Sequence, residues 1–328
     1  MSERKDDSKS LALPWSFCHV TPRAGVCTAP RMALLRSVGR AMARGWSGLV
    51  LSTSLGATWG FCATASLLSR ARLLPKARAE AACRATCKAA GGAALACMPW
   101  VRQTHRVTPA VWAAFEDSAR PRGAVLLINH ASPMDPLFAM ATMPLGTMRR
   151  VPFKVLIKAS HLRVPLFGGI CRGCGHFPVH FLNDKRDGYA ASFRTDPTLQ
   201  AGVMQEVDAH VASGGVLVAF PEGQTSEPQD AHRLAPFRRG SFKVALRQNA
   251  PVWALLQTGT ADFAPQGTTL GGYPCCISTR LVPIREQHDV EDATTADELA
   301  EESRAKMQHQ MDDMMAQQGG APPVESNA

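Results

Sequence analysis

The sequence predicts an α/β domain on a mainly parallel sheet flanked by helices, preceded by membrane-associated N-terminal helices. Three observations carry this expectation. First, the apolar runs Ala124–Ile128, Val216–Phe220 and Val252–Leu256 are too short for helices, and they are apolar throughout, as strands covered on both faces are. Second, Leu199, Val203, Val207 and Val211 recur every four residues, and the pattern stops at Gly214-Gly215 just before the second run. Such helix–glycine–strand–loop order builds parallel crossover units whose loops gather at the C-terminal edge of the sheet. Third, no charge occurs over the 25 residues from Gly45 to Ser69, which are bounded by Arg44, Arg70 and Arg72.

Taken in order, residues 1–30 are expected to be a flexible segment and residues 31–100 basic and apolar membrane-associated helices. Here Arg36, Arg40 and Arg44 share one helical face, and Met32, Leu35, Val38 and Met42 another, the pattern of a helix lying among lipid headgroups or of a solvated face. Gly45–Ser69 is long enough to span a bilayer, but Ser52, Thr53, Ser54, Gly56, Thr58, Gly60, Thr64 and Ser66 dilute it. The reading is therefore a spanning or re-entrant helix, against an interfacial or buried one. The shorter apolar patch Ala89–Trp100 cannot span and is expected to pack on the domain or dip into the interface. An early charged stretch (Glu3, Lys5, Asp6, Asp7) argues against a secretory leader. The α/β domain should occupy 101–285, an acidic helix 286–317 and a disordered Gly- and Pro-containing tail 318–328.

Charge sharpens the partner. The net charge of +9 conceals a segment, 286–328, with 11 acids and 2 bases, so residues 1–285 carry +18. Residues 8–79 contain no acid, a composition shared by membrane-facing arms and organelle transit peptides. Nucleic acid is excluded as the partner, because aromatics make up only 6% and no stacking or groove-reading motif is present. With 10 Cys in 328 residues, a disulfide scaffold is excluded too. Cys171-Arg172-Gly173-Cys174 with His176 and His180 invites a zinc reading. Against it, His176, Pro178 and His180 alternate with Phe177, Val179 and Phe181, which is strand periodicity. Cys83, Cys87, Cys275 and Cys276 read most simply as reduced thiols.

Chemistry-bearing residues follow the buried strands. Asn129 and His130 directly follow the first, and Pro221-Glu222-Gly223 the second, so both groups belong at the edge where open α/β sheets bind ligands. Asp135 lies five residues after His130, a spacing that chance alone supplies readily. Ser132-Pro133-Met134-Asp135 also reads as a helix cap.

Asn129-His130-Ala131-Ser132-Pro133-Met134-Asp135 resembles the NHxxxxD block of the glycerophospholipid acyltransferases, the PlsC-like family that includes lysophosphatidate acyltransferase. Phe220-Pro221-Glu222-Gly223 resembles that family's FPEG block. Lys158 with Pro165 and Gly168, then Phe237-Arg238-Arg239-Gly240 and Ala250-Pro251-Val252, resemble the connecting segments, and the likeness covers roughly 90–310. It implies an acyl-CoA-dependent O-acyltransferase acting on the sn-2 hydroxyl of 1-acylglycerol-3-phosphate, with His130 as general base oriented by Asp135. Asn129, Lys158, Pro221, Glu222, Gly223, Arg238 and Arg239 are then expected to bind substrate. No cofactor or metal is expected, acyl-CoA being a co-substrate. Ser132 is read as structural, because the acceptor hydroxyl attacks directly.

Departures leave the acceptor open. Gln224-Thr225-Ser226 replaces the usual Thr-Arg-Ser, Gly175–Phe181 lacks the usual Arg, and Ala254 stands in place of a proline. Phosphate binding would fall to Lys158, Arg238, Arg239 or Lys243. Alternatives are acylation of glycerol-3-phosphate or a headgroup-bearing lysophospholipid, hydrolysis, and a non-catalytic lipid-binding protein on the same fold. The partners expected are acyl-CoA, lysophospholipid and a bilayer. The endoplasmic reticulum is the first expectation for that membrane, with a plastid or mitochondrion second.

Overall fold

The computed structural model describes residues 29–120, 122–182, 194–226, 230–265, 267–268, 271–286 and 295–317. Most of the expected 1–30 segment and all of the 318–328 tail lie outside the described residues, as do the side chains of Met32, Leu35 and Arg36. The chain divides into two units, Met1–Gly39 and Arg40–Ala328. In the first, Ala29–Gly39 is helical, the opening of α1 (Ala29–Arg70).

The second unit carries the rest of α1 and then α2 (Lys76–Ala96), β1 (Val101–His105), α3 (Pro109–Ala119), β2 (Ala124–Ile128), α4 (Asp135–Thr142), α5 (Leu145–Arg150) and β3 (Phe153–Lys158). Next come α6 (Phe167–Gly173), β4 (Phe177–Val179), α7 (Pro197–Ala212), β5 (Val216–Ala219), α8 (Gly240–Gln248), β6 (Val252–Thr258), α9 (Thr260–Phe263), β7 (Cys275–Arg285) and α10 (Ala296–Gln317). The three apolar runs are β2, β5 and β6, and the four-residue repeat is α7.

One seven-stranded sheet has the order β1-β7-β6-β2-β5-β3-β4. From β6 to β4 every pairing is parallel, β7 runs antiparallel to β6, and β1 is parallel to β7. The mainly parallel α/β class is therefore the observed one. Alternate residues serve opposite faces, as the strand pleat requires. Val125, Leu127, Leu217 and Leu256 pack with Val207, Val211, Phe242 and Met307 in one core layer. Leu126, Ile128, Val218 and Leu255 pack with Trp112 and Phe115 in the other. Leu299, Met307, Met311 and Met314 bury one side of the acidic α10, so its charges face outward.

The N-terminal helices depart from expectation. No helix among the described residues is long and apolar enough to cross a membrane, so the spanning reading of Gly45–Ser69 is corrected. The reason lies in which residues turn inward. Ser47, Cys62 and Ala65 are buried, Ser54 Oγ donates to the Ala90 carbonyl of α2, and Thr58 Oγ1 donates to the Ser54 carbonyl at 2.7 Å. Small and hydroxylated residues thus make the packing face, while Leu49, Trp59, Phe61 and Leu67 are exposed. Of the residues that lowered the hydropathy, Ser54 and Thr58 turn toward protein, while Ser52, Thr53 and Thr64 are exposed. The Ala89–Trp100 patch packs on the domain, with Met98 buried beside Leu51, Phe138 and Phe263.

α2 is anchored at the far edge of the sheet. Glu80 is buried and pairs with Lys154 of β3 at 2.8 Å and with Arg84 at 3.8 Å. Gly175 permits this approach: its φ is +73°, and a Cβ there would meet the Glu80 carboxylate at 2.5 Å.

Candidate active site

The site forms where β2, β5 and β6 end together, next to the end of β3. Asn129 caps the ladder beyond β2. Its Nδ2 donates to the Gln257 carbonyl and its Oδ1 accepts from Gln257 N–H, both at 2.8 Å. This buried two-bond clamp continues the β2–β6 pairing through a side chain and sets the direction in which the next residue leaves the sheet.

That residue is His130, and its backbone is held from the β5 side. Its N–H donates to Glu222 Oε1 at 2.7 Å, and its carbonyl accepts from Ser226 N–H at 2.8 Å. Glu222 Oε2 accepts from Ala235 N–H at 3.0 Å and Ser226 Oγ at 3.3 Å. Burial pushes the Glu222 carboxyl above its ordinary range, while the hydrogen bonds from His130 and Ala235 oppose that rise. Both carboxylate oxygens are thus engaged in fixing the loop that carries His130.

The imidazole is fixed by two contacts. Nδ1 lies 3.0 Å from Asp135 Oδ2, and the ring centroid lies 4.5 Å from that of Phe220. Asp135 is fully buried, and its Oδ2 also accepts from Ser132 N–H at 2.8 Å. Its carboxylate sits in the first turn of α4, where the positive end of the helix dipole favours the charge. Ser132 Oγ accepts from Met134 N–H at 3.2 Å and donates to the Ala264 carbonyl at 2.9 Å. Asp135 Oδ2 therefore ties the Ser132 backbone to the His130 ring, and the Ser132 hydroxyl is engaged within the loop and with Ala264. The Gln257 amide satisfies both ends when Nε2 donates to the Asp135 carbonyl at 3.2 Å and Oε1 accepts from Ala139 N–H at 2.9 Å.

In the tautomer whose Nδ1–H donates to Asp135 Oδ2, the lone pair of His130 sits on Nε2. Nε2 has no hydrogen-bond partner among the described residues, and the side chain is 19% exposed. An oriented imidazole with an accessible basic nitrogen can take a proton from a hydroxyl.

Pro221 is buried, and its carbonyl accepts from Arg238 N–H at 2.8 Å. Gly223 has φ +73°, and a Cβ there would lie 2.2 Å from Arg238 Nε, so the guanidinium packs across the glycine. Burial lowers the Arg238 pKa. Arg239 turns elsewhere, making two bonds of 2.9 and 3.0 Å to Asp297 of α10. Lys158 ends β3 at the same edge of the sheet, two strands from His130. The structure thus joins Asn129, His130, Asp135, Pro221, Glu222, Gly223 and Arg238 in one connected group and leaves Arg239 outside it.

Gln257, Ser226 and Ala235 complete this group and are not among the residues expected from sequence. Gln257 had a readable signal, a polar residue at the end of an apolar strand run. Ala235 had none, because it contributes only a backbone N–H. His176 is not a second base: its Nδ1 accepts from Val155 N–H, and burial pushes its pKa down to about 3.

The family model for the acyltransferases matches residues 101–256, which contain the whole His130–Asp135–Glu222 group. A 1-acyl-sn-glycerol-3-phosphate acyltransferase of Limnanthes douglasii is 28% identical over 161 residues, 49% of either chain. A chloroplastic enzyme of the same name from Arabidopsis thaliana is 25% identical over 189 residues, 58% of this chain and 45% of the relative. The chain therefore spans about half the length of the curated relatives it matches. The crystal structure of the 1-acyl-sn-glycerophosphate acyltransferase PlsC from Thermotoga maritima superposes with a TM-score of 0.59 at 14% identity. That match covers 86% of this chain and 98% of the other, a likeness of fold. Residues 101–256, just under half of the chain, thus match the acyltransferase family.

Proposed function

We propose that the protein transfers an acyl group from acyl-CoA to the sn-2 hydroxyl of 1-acylglycerol-3-phosphate, giving phosphatidate. The observation that carries this is the 3.0 Å His130–Asp135 contact at the C-terminal strand edge, with Nε2 left to meet a substrate. The names of the Limnanthes and Arabidopsis relatives support the choice of acceptor. As the acceptor oxygen attacks the thioester carbon, its proton passes to His130 Nε2. Asp135 stabilises the imidazolium, which then returns the proton to the departing CoA thiolate, so no covalent acyl-enzyme is needed. Glu222 acts by holding the His130 backbone. Among the expected phosphate ligands, Arg238 beside Gly223 and Lys158 at the end of β3 are the ones this reading keeps.

The test is thiol release from one acyl-CoA with a panel of acceptors. Release with 1-acylglycerol-3-phosphate is expected to exceed that with glycerol-3-phosphate or a headgroup-bearing lysophospholipid by at least about tenfold. A faster rate with another acceptor would replace the substrate assignment. Release without any acceptor would indicate a hydrolase, and lipid binding with no release on any acceptor would indicate a non-catalytic binder.

The bilayer contact we infer is peripheral. α1 directs Leu49, Trp59, Phe61 and Leu67 outward on a helix flanked by Arg40, Arg44, Arg70 and Arg72, which suits an anionic lipid surface. The protein is expected to sediment with anionic vesicles and to be released by salt. The double change Leu49→Asp and Leu67→Asp should weaken binding by about tenfold or more, since each removes a buried-on-binding apolar side chain. Unchanged sedimentation of that variant would refute this use of α1. The chloroplastic relative favours a plastid membrane over the endoplasmic reticulum or mitochondrion, and fluorescence of a tagged chain outside plastids would reverse that order.

A further inference from the structure

Away from the active site, α1, α2 and α6 converge on sulfur. Cys62 of α1, Cys87 of α2 and Cys174 at the end of α6 place their Sγ atoms within 4.8 Å of one another, and Cys87 and Cys174 are 3.6 Å apart. In a tetrahedral zinc site, Zn–S bonds near 2.3 Å put neighbouring sulfurs about 3.8 Å apart. Cys83 lies one helical turn before Cys87 on the same face and is buried in the same cluster as Cys62 and Cys174. The helices meet closely enough because residue 173 is glycine. A Cβ there would lie 3.0 Å from Cys62 Cβ and 3.3 Å from Cys83 Sγ.

The charges nearby suit anionic sulfur. Arg84 is 5% exposed and donates from Nη1 to the Cys174 carbonyl at 2.8 Å. Its acidic neighbour Glu80, 3.8 Å away, is shared with Lys154 at 2.8 Å. One carboxylate thus serves two largely buried cations, which leaves an excess of positive charge beside the thiols.

We propose that Cys62, Cys87 and Cys174, joined by Cys83 through a turn of its side chain, form a structural zinc site that staples the N-terminal helix pair to α6 of the catalytic domain. Binding converts four thiols and Zn²⁺ into a tetrathiolate complex of charge −2 with release of four protons, and the excess positive charge around Arg84 offsets part of it. The ligands differ from those the local Cys171–Cys174–His176–His180 pattern suggests. His176 is committed to Val155, and three of the four sulfurs come from helices far away in the chain. This inference is independent of the acyl-transfer reading, because the site supplies no reacting group.

The experiment uses the full chain, purified under reductant from zinc-supplemented medium. Elemental analysis should find about one zinc per chain, and Cys87→Ser or Cys174→Ser should lower its retention by about tenfold or more. Cys97→Ser, an exposed cysteine outside the cluster, should leave it unchanged. Should the cluster variants fail to fold, the wild-type protein exchanged with Co²⁺ decides. Sulfur-to-cobalt charge-transfer bands with intense visible absorption of tetrahedral cobalt would support the site. A folded, metal-free protein whose melting temperature and spectrum ignore added Zn²⁺ and Co²⁺ would overturn it. A Cys87–Cys174 disulfide in the reductant-purified protein would also overturn it.

Discussion

Replacing His130 by alanine is expected to lower acyl transfer by about 10²–10⁴-fold, equivalent to roughly 3–5 kcal/mol of activation free energy. The change removes the imidazole and nothing that shapes the loop. The His130 N–H still donates to Glu222, its carbonyl still accepts from Ser226, and Asn129 still clamps β2 to β6. The loss should therefore fall on kcat, with KM for both substrates and the urea midpoint little altered. Thiol release and equilibrium unfolding on the same preparations separate the two effects. Wild-type turnover in the variant would remove His130 from the mechanism, and a collapse of stability would show that the ring is chiefly a packing group against Phe220.

Asp135→Asn is expected to cost nearly as much, roughly 10²–10⁴-fold in kcat, although the side chain keeps its shape. If the amide oxygen takes the place of Oδ2, it can still accept from Ser132 N–H, but the charge that stabilises the imidazolium is gone. If the amide nitrogen takes that place, it donates to Nδ1 and moves the imidazole proton to Nε2, where no base is left. Either way the loss is catalytic, beyond about 0.5–1.5 kcal/mol of stability from the weakened hydrogen bond with Ser132 N–H. Paired measurement of kcat and unfolding free energy checks this. A variant with normal kcat and only reduced stability would assign Asp135 to holding the loop alone.

How much of this was legible beforehand depended on the range of the interaction. β2, β5, β6 and α7 were readable because apolar periodicity and the glycines that end it are local signals. The role of Glu222 was not. Its FPEG setting suggested a group facing substrate, and gave no sign that its carboxylate also accepts from a backbone N–H 92 residues away. Arg239 looked equivalent to Arg238, but α10 brings Asp297 to the first, and Gly223 admits the second. α1 misled for a related reason. Hydropathy counts serines and threonines against a membrane segment without knowing that Ser47, Ser54 and Thr58 face protein while Leu49, Trp59, Phe61 and Leu67 face out.

By itself, the sequence determined the parallel α/β class, the segments that build it and the identity of the His130–Asp135 pair, because each rests on short-range pattern. Only the tertiary structure decided which polar groups support that pair, that α1 packs by its small residues, and that Cys62, Cys87 and Cys174 meet beside Arg84. Those outcomes depend on strand order and helix docking, which bring together residues separated by tens to more than a hundred positions, and no local spacing in the chain encodes such distances.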